Sequence, residues 1–444
     1  MKFKIFILTT SLLAANIPML AAQDTPTEPQ QLRLSLREAQ DYAVRHNYAL
    51  QNATLDQKKA EAAKWQAVSS MLPQGSVNFA YQNMLGYEIE FGNTGMKLAM
   101  NPNGQLTARA ALALSGAQVV GAVLSNISLK MSDIKHRQTI QASEANVKNI
   151  YTSILVMQET MSLLDSSLAN LQRLKKSTDD AVAAGASEQV DADKLAVQVG
   201  TLRNSIHSNK RALQMLQNSL LLQLGADPGI SITLTTPLNE ILSIDGAHQT
   251  LRKSFDITRN FDYQTLVQSE AASKKQLTLA YMDYLPTLTA YYQYSRLTYF
   301  GKDEGFNMNP PHMIGATLSW NLFTSGSRWK KVEAAKLEHE KTLNSMRQAE
   351  DALKVQYKQA SFDLVNALET YDIQKENIDV SQRVFANIAE KYKYGRSSSL
   401  DVTQASSNLI TAQSSYIQAV VSVVNAQVVL ETLLSENQYE EKNQ

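Results

Sequence analysis

Carboxylates, histidines and cysteines are the side chains that could do chemistry, and their spacing argues against an enzyme. The chain of 444 residues has no cysteine, which excludes a catalytic thiol, a disulfide and a thiolate metal site. Its six histidines stand singly and predict neither a metal site nor a histidine-based triad. Asp303 and Glu304, in a glycine-flanked loop, are expected to be solvated rather than to form an acid–base pair. We therefore expect no catalysis, no cofactor and no bound metal.

Two other carboxylates recur at matched places in the chain. Asp191 follows Gly185 by six positions, as Asp401 follows Gly395, and the two glycines are 210 positions apart (395 − 185). Each glycine ends one apolar heptad pattern just before another begins, so residues 185–191 and 395–401 are predicted to be tight helical hairpin tips. Two roles stay open for the aspartates: residues favoured at a helix start, or charged groups that line a pore.

Heptad patterns flank both tips. Apolar residues on alternating three- and four-residue steps mark the seam of a coiled coil. From Gly121 to Gly185 is 64 positions and from Gly326 to Gly395 is 69. At 1.5 Å per residue each outgoing arm would be about 100 Å long. The seam around the second tip contains Leu343, Met346, Leu353, Tyr357, Ala360, Leu364, Ala367 and Tyr371 before it, and Ala405, Leu409, Ala412, Tyr416, Ala419, Val423, Ala426, Leu430 and Leu433 after it.

The two halves of the chain repeat one order of elements. Asn47-Tyr48 returns as Asn260-Phe261, at an offset of 213 (260 − 47). We therefore predict a first repeat over residues 23–230 and a second over 231–444. Each has a helix, two strands, a long helix, a glycine tip and a return helix. Alternating patterns rich in aromatic residues place the strands near 75–85, 105–114, 287–300 and 313–323.

Composition and strand length bear on where the protein lies. Residues 1–22 combine Lys2 and Lys4 with a short apolar run, which predicts a secretory signal peptide rather than a membrane anchor. The balance of 42 Lys and Arg against 42 Asp and Glu argues against nucleic-acid binding.

Strands of about ten residues suit a transmembrane barrel, but four cannot close one, so a barrel needs an oligomer. A small soluble sheet stacked on a coiled coil fits the patterns equally well.

Several stretches make the chain resemble the TolC-like outer membrane efflux proteins. They are Leu34-Ser-Leu-Arg-Glu-Ala39, Leu318-Ser-Trp-Asn-Leu-Phe-Thr-Ser-Gly326 and the two tips, in the family's order. The resemblance implies an α+β, mostly helical fold in which a homotrimer with an internal duplication forms a transmembrane β-barrel and a long antiparallel coiled-coil α-barrel. It implies a passive exit duct in the bacterial outer membrane, its helical tunnel in the periplasm, for tripartite efflux or type I secretion. The implied partners are outer membrane lipid, a periplasmic adaptor and an inner-membrane pump of the RND, ABC or MFS type.

The resemblance also implies roles at the tips. Asp401 and Asp191 match pore constriction positions, and Gln404 stands where relatives often have a further aspartate. We therefore expect a ring of three carboxylates with softened cation selection. Tyr392 matches a tyrosine that contacts the aspartate at position 191, and Arg396 lies next to the position of a family arginine. The surface on which adaptors dock corresponds to Ala184, Gly185, Ala186 and Gly395.

The rival hypothesis is a periplasmic coiled-coil protein, structural or adaptor, without a pore. An adaptor would have one helical hairpin inserted in small β modules. Two hairpins and paired aromatic strands favour the duct. An enzyme is a distant third hypothesis.

Overall fold

A computed structural model describes residues 31–91, 96–300 and 310–435, so the predicted signal peptide and Asp303-Glu304 lie outside the described residues. The described chain is mostly helical, and a short 3-10 turn, Ile257–Arg259, precedes its seventh helix. In chain order the elements are β1 (Gln31–Leu34), α1 (Leu36–His46), α2 (Tyr48–Ser69), β2 (Gln74–Gln82), β3 (Glu88–Phe91), β4 (Met96–Ala99), β5 (Asn103–Leu114), α3 (Gly116–Ala183), α4 (Gln189–Leu224), β6 (Ser231–Leu234), α5 (Leu238–Ile241), α6 (Ile244–Leu251), α7 (Phe261–Met282), β7 (Thr287–Tyr299), β8 (His312–Ser319), α8 (Ser327–Lys393) and α9 (Ser399–Leu434).

Matched asparagines hold matched helix junctions in the two halves. Asn47 caps α2, and its amide donates a hydrogen bond to the carbonyl of Gln223 near the end of α4 at 2.6 Å. Asn260 caps α7, and its amide donates to the carbonyl of Leu433 near the end of α9 at 3.3 Å. Each asparagine ties a short helix to the return helix of its own repeat. The sequence predicts a helix running through Tyr48, but the extended backbone of Asn47 divides it into α1 and α2.

The long helices are α3 with 68 residues and α8 with 67, each about 100 Å at 1.5 Å per residue. The predicted start of α3 near Gly121 is wrong, because the helix begins at Gly116. A capping box sets this earlier start: the hydroxyl of Ser115 accepts from the backbone of Gln118, and the side chain of Gln118 accepts from the backbone of Ser115. The return helices α4 and α9 have 36 residues each.

The apolar core is divided into three clusters along the helices rather than gathered at one centre. This follows from the heptad seams, because each level of a long helix packs only against neighbours at the same level. One cluster lies beside β1 and β6, a second joins α8 and α9, and a third lies toward the tips. Fully or nearly fully buried members are Val147, Tyr151 and Leu220 in the first, Leu364, Val423 and Leu430 in the second, and Leu171, Leu195 and Val402 in the third.

Four strands form one antiparallel sheet in the order β2-β5-β7-β8, with β2 and β8 at its open edges. The predicted strand at 313–323 is wrong at its end, because β8 stops at Ser319. After that point Trp320 donates to the carbonyl of Tyr284, and the chain turns into α8. The glycines from Gly92 to Gly104 predict a loop, but this stretch contains β4, which pairs with β3, and the start of β5.

The strand register sorts the sheet's side chains onto an apolar and a polar face. Directly paired residues share a face, and successive residues alternate. The apolar face exposes large side chains, among them Val77, Phe79, Tyr81, Tyr292, Ile314 and Leu318. The opposite face carries Ser76, Asn78, Gln105, Thr107, Arg109, Gln293, Ser295 and Thr317. One side therefore suits lipid and the other suits water.

Helix α9 is, by length and composition, apolar enough to cross a membrane. From the sequence alone, Asn425, Gln427 and Glu431 predict that this segment is not a membrane helix. Part of its apolar surface packs inside the protein: Val420, Val423 and Leu430 are buried against the neighbouring helices. We interpret α9 as a core helix of the coiled coil.

One partly buried carboxylate beside the first cluster, that of Glu144, forms no ion pair with the described residues. Glu144 lines a small polar cavity of about 60 Å³ together with Lys148 and Glu431. Lys148 pairs with Glu431 at 2.8 Å rather than with Glu144. Burial, and to a lesser extent the charge of Asp41, raises the pKa of Glu144 to about 7.

We expect Glu144→Gln to stabilise the protein at pH 8 and to change little at pH 5. The folded state binds more protons than the unfolded chain between the ordinary pKa of 4.5 and about 7, so stability falls as the pH rises through that window. Screening at a partly exposed carboxyl reduces the expected gain to about 1–2 kcal/mol. Thermal unfolding midpoints at the two pH values measure it. Glu431→Gln is the control: it removes a paired carboxylate and should not stabilise. A Glu144→Gln variant that is less stable at pH 8 contradicts the prediction.

Candidate functional site at the hairpin tips

The same hydrogen-bond motif ends both outgoing helices. Gly185 has a φ of +74° and Gly395 a φ of +67°, the left-handed conformation in which glycine is favoured. Each glycine N–H donates to the carbonyl three positions earlier at 3.0 Å. The next N–H donates to a carbonyl five positions earlier, at 2.8 Å in the first tip and 2.9 Å in the second. This Schellman arrangement satisfies the last carbonyls and lets the chain reverse.

Asp401 lies in the first turn of α9, where it completes a capping box with Ser398. One carboxylate oxygen accepts hydrogen bonds from the Ser398 backbone at 2.9 Å, the Ser398 hydroxyl at 2.8 Å and the Ser397 hydroxyl at 3.0 Å. These bonds, that from the Ser398 backbone first, lower the pKa of Asp401 below its ordinary 3.8. The contacts assign Asp401 to the helix start, and its charge stays exposed at the tip.

Asp191 connects the two hairpins. Its carboxylate accepts a hydrogen bond from the hydroxyl of Ser399, the first residue of α9. Ser399 is buried, while Lys194 lies 3.6 Å from the same carboxylate oxygen on the more exposed side. Sequence reasoning missed Ser399, because a serine at a helix start is explained by capping alone. Nothing in the local pattern pointed to a residue 208 positions away.

Tyr392 also joins the hairpins, but through a different residue from the one expected. Its hydroxyl lies 3.1 Å from the hydroxyl of Thr178 on α3. The resemblance implied a contact between Tyr392 and Asp191, and in this structure each of them has another partner. The Ser399 hydroxyl bonds to the Asp191 carboxylate because α9 begins directly beside it. The Tyr392 hydroxyl bonds to the buried Thr178 instead.

The remaining expected site residues lie at or near the tips and are exposed. Gln404 donates to the side chain of Asn408 at 2.9 Å, one turn further along α9. Arg396 lies in the second tip, where its backbone N–H completes the turn. The four positions expected to dock an adaptor are all exposed on the tip surface: Ala184, Gly185, Ala186 and Gly395.

Toward the sheet from these contacts, a cavity of about 420 Å³ separates α3 from α8 and α9. Its lining mixes Phe385 and Leu409 with the cations Arg173 and Lys393. Gln413 also lines it, and its buried side-chain oxygen has no hydrogen-bond partner among the described residues. The hairpins therefore leave a gap at this level, beside the third apolar cluster, which contains residues of both hairpins. Within the described residues, no three His, Cys, Asp or Glu side chains are grouped to hold a metal.

Comparison with known proteins agrees with this architecture. Residues 257–436 match the family model described as outer membrane efflux protein. The outer membrane protein VceC of Vibrio cholerae superposes with a TM-score of 0.73 at 14% identity, covering 90% of this chain and 96% of VceC. The Campylobacter jejuni CmeC outer membrane channel gives 0.73 at 16% identity, covering 92% and 88%. The open state of the Neisseria gonorrhoeae MtrE outer membrane channel gives 0.71 at 16% identity, covering 90% and 88%. No curated protein sequence matches the chain.

This chain, with its two helical hairpins and four-stranded sheet, shares the fold of these outer membrane channels. The resemblance to the TolC-like outer membrane efflux proteins is thereby confirmed, and the family match falls in the second repeat. Members of that family are channels rather than enzymes.

Proposed function

We propose that three copies of this chain assemble into a passive exit duct across the periplasm and the outer membrane. The sheet supports this, because its two open edges are not tolerated in hydrocarbon and neighbouring copies can pair with them. The exposed apolar face would then contact lipid, and the polar face would line the lumen.

The proposal rests mainly on exposed apolar residues of α4 and α8. On each helix they form a second seam, apart from the buried one that packs within the chain. Large apolar side chains recur there at intervals of 7, 11 or 18 residues, which return to the same face of a helix. Both seams are exposed in a single chain, so both require a neighbour. Contact between α4 of one copy and α8 of the next would bury them and close a ring. Their members are Val190, Val197, Met215 and Leu222 on α4, and Val355, Phe362, Ile373 and Val380 on α8.

In such a ring the tips form the narrow end. Asp401 would contribute the expected ring of three carboxylates at the constriction, where Asp191 would also lie, with Gln404 one turn further inward. Tyr392 would hold the hairpins together through Thr178, and Arg396 would lie at the rim. The exposed small residues of the tips offer a smooth surface for a periplasmic adaptor. The duct has no energy source of its own, so an inner-membrane pump would drive tripartite efflux or type I secretion through it.

Neighbouring residues on opposite faces of β2 test the proposal. The natural chain has no cysteine, so Asn78→Cys and Phe79→Cys each introduce a single thiol. In outer-membrane vesicles, we expect a charged, membrane-impermeant thiol reagent to label Asn78→Cys in the water-filled lumen. Phe79→Cys should react at least about tenfold more slowly, because a thiol in lipid does not ionise.

After denaturation in detergent, both variants should react at the same rate, which controls for local thiol chemistry. Equal rates in the intact membrane would contradict the lumen assignment. Recovery of the protein as a water-soluble monomer would favour the rival hypothesis of a periplasmic coiled-coil protein.

A further inference from the structure

The polar face of the sheet carries one charged side chain among the described strands, Arg109 on β5. Its direct partners across the strands are Ser76 and Gln293, both neutral. The described residues place no carboxylate within 4.0 Å of its guanidinium. The other arginine of the sheet, Arg296 on β7, pairs with Leu106 and so lies on the apolar face. Arg296 is three residues from the end of β7, where a long side chain can reach the headgroup region.

Arg109 is held in place by a stack that crosses three strands. Its guanidinium carbon lies 4.6 Å from the centre of the Tyr291 ring on β7, a cation–π distance. The ring in turn lies over Gly315 on β8, its direct partner in the register. A Cβ at Gly315 would come within 2.8 Å of the Tyr291 ring, so the glycine makes room for this packing. Among the described residues, the arginine is therefore oriented by an aromatic ring and not by a carboxylate that would neutralise it.

An oriented, unneutralised guanidinium on a water-facing surface attracts anions. We propose that Arg109 of each copy forms a cationic collar in the β-barrel lumen, which favours the passage of carboxylate, sulfonate or phosphate groups. This inference rests on the proposed trimeric duct. The collar is opposite in sign to the aspartates at the tip, so the two ends of the duct discriminate charge in opposite directions.

The collar's effect depends strongly on salt. A barrel lumen is wider than the tip, so screening weakens three charges on its wall at physiological ionic strength. Between about 0.01 and 0.1 M salt, the Debye length of about 30 to 10 Å is comparable to distances across a lumen. Under these conditions we expect Arg109→Gln to change the cation-to-anion permeability ratio by about two- to fivefold.

Reversal potentials in planar bilayers under a KCl gradient test the collar. All variants are made in an Asp401→Asn background, which removes the exposed Asp401 carboxylates from the tip but keeps a side chain that can accept the capping bonds. Arg109→Gln should shift the permeability ratio toward cations, and Arg109→Lys should keep the ratio of the background. Arg296→Gln is the matched control, because it removes an equal charge from the lipid-facing side of the same sheet.

The outcomes separate the collar from the duct. If the background protein forms no conducting pore, the proposed function fails. If it conducts, and Arg109→Gln leaves the permeability ratio unchanged at low salt, the collar is overturned while the duct stands. An equal shift in Arg296→Gln would also overturn it, because the effect would then come from net charge rather than from the lumen face. A shift in Arg109→Gln that disappears at about 1 M salt supports the collar.

Discussion

Gly225→Ala is expected to lower the free energy of unfolding by about 3 kcal/mol or more. Gly225 ends α4 with a φ of +71°, which costs a residue with a Cβ about 1–2 kcal/mol. The larger cost is a steric clash of the added Cβ. An added Cβ would lie 2.3 Å from the carbonyl oxygen of His46 and 2.8 Å from its carbon. Backbone atoms must then move at the junction where α1 and α2 meet.

The repeat supplies an internal comparison. Ser435 occupies the corresponding place after α9, 210 positions later (435 − 225), and adopts a φ of +51° despite its side chain. A residue with a side chain can therefore adopt the left-handed backbone at this junction. Residue 225 must be glycine because its backbone lies too close to His46 to leave room for a Cβ.

Gly200→Ala is the matched control in the same helix. Gly200 lies inside α4 and has nothing within 4 Å of an added Cβ. Alanine there should stabilise the helix by about 1 kcal/mol. Denaturant or thermal unfolding of the two purified variants measures both effects. Similar stability of Gly225→Ala and the wild type would show that the junction adjusts at no cost.

Ser399→Ala is expected to loosen the tip and raise mean single-channel conductance several-fold. The Ser399 hydroxyl donates to the carboxylate of Asp191, which joins the start of α9 to the first hairpin. Hydrogen bonds to charged groups contribute about 1.5–3 kcal/mol. Losing one should shift the balance between joined and separated hairpins by about 10- to 100-fold. The contact of Tyr392 with Thr178 and the apolar cluster toward the tips would still hold the hairpins together, so the effect should be a loosening rather than a separation.

Two further variants make this test specific. Ser407→Ala removes an exposed hydroxyl further along α9 and should conduct like the wild type. Asp191→Asn keeps an acceptor for Ser399 but removes the charge, so its conductance should lie between those of the wild type and Ser399→Ala. Single-channel recording in planar bilayers measures all three. Unchanged conductance in Ser399→Ala would show that this bond does not restrain the tip.

Local signals in the sequence determined the architecture of the chain. Heptad seams, a glycine six positions before each aspartate, and the Asn47 and Asn260 pair are patterns within a few turns of the backbone, where periodicity and capping act. Their recurrence predicted two repeats with long hairpins, and the structure has helices of 68 and 67 residues on the outgoing arms. The predicted start of α3 near Gly121 is wrong because the capping box of Ser115 and Gln118 begins the helix at Gly116.

Only the tertiary structure decided which distant residues meet. The partners of Asp191 and Tyr392, the order of the strands, and the stack of Arg109 on Tyr291 over Gly315 all join segments far apart in the chain. Such contacts depend on how long helices and strands are placed side by side in register. A shift of one residue exchanges the two faces of a strand, and no local pattern specifies that relation between segments about 200 positions apart.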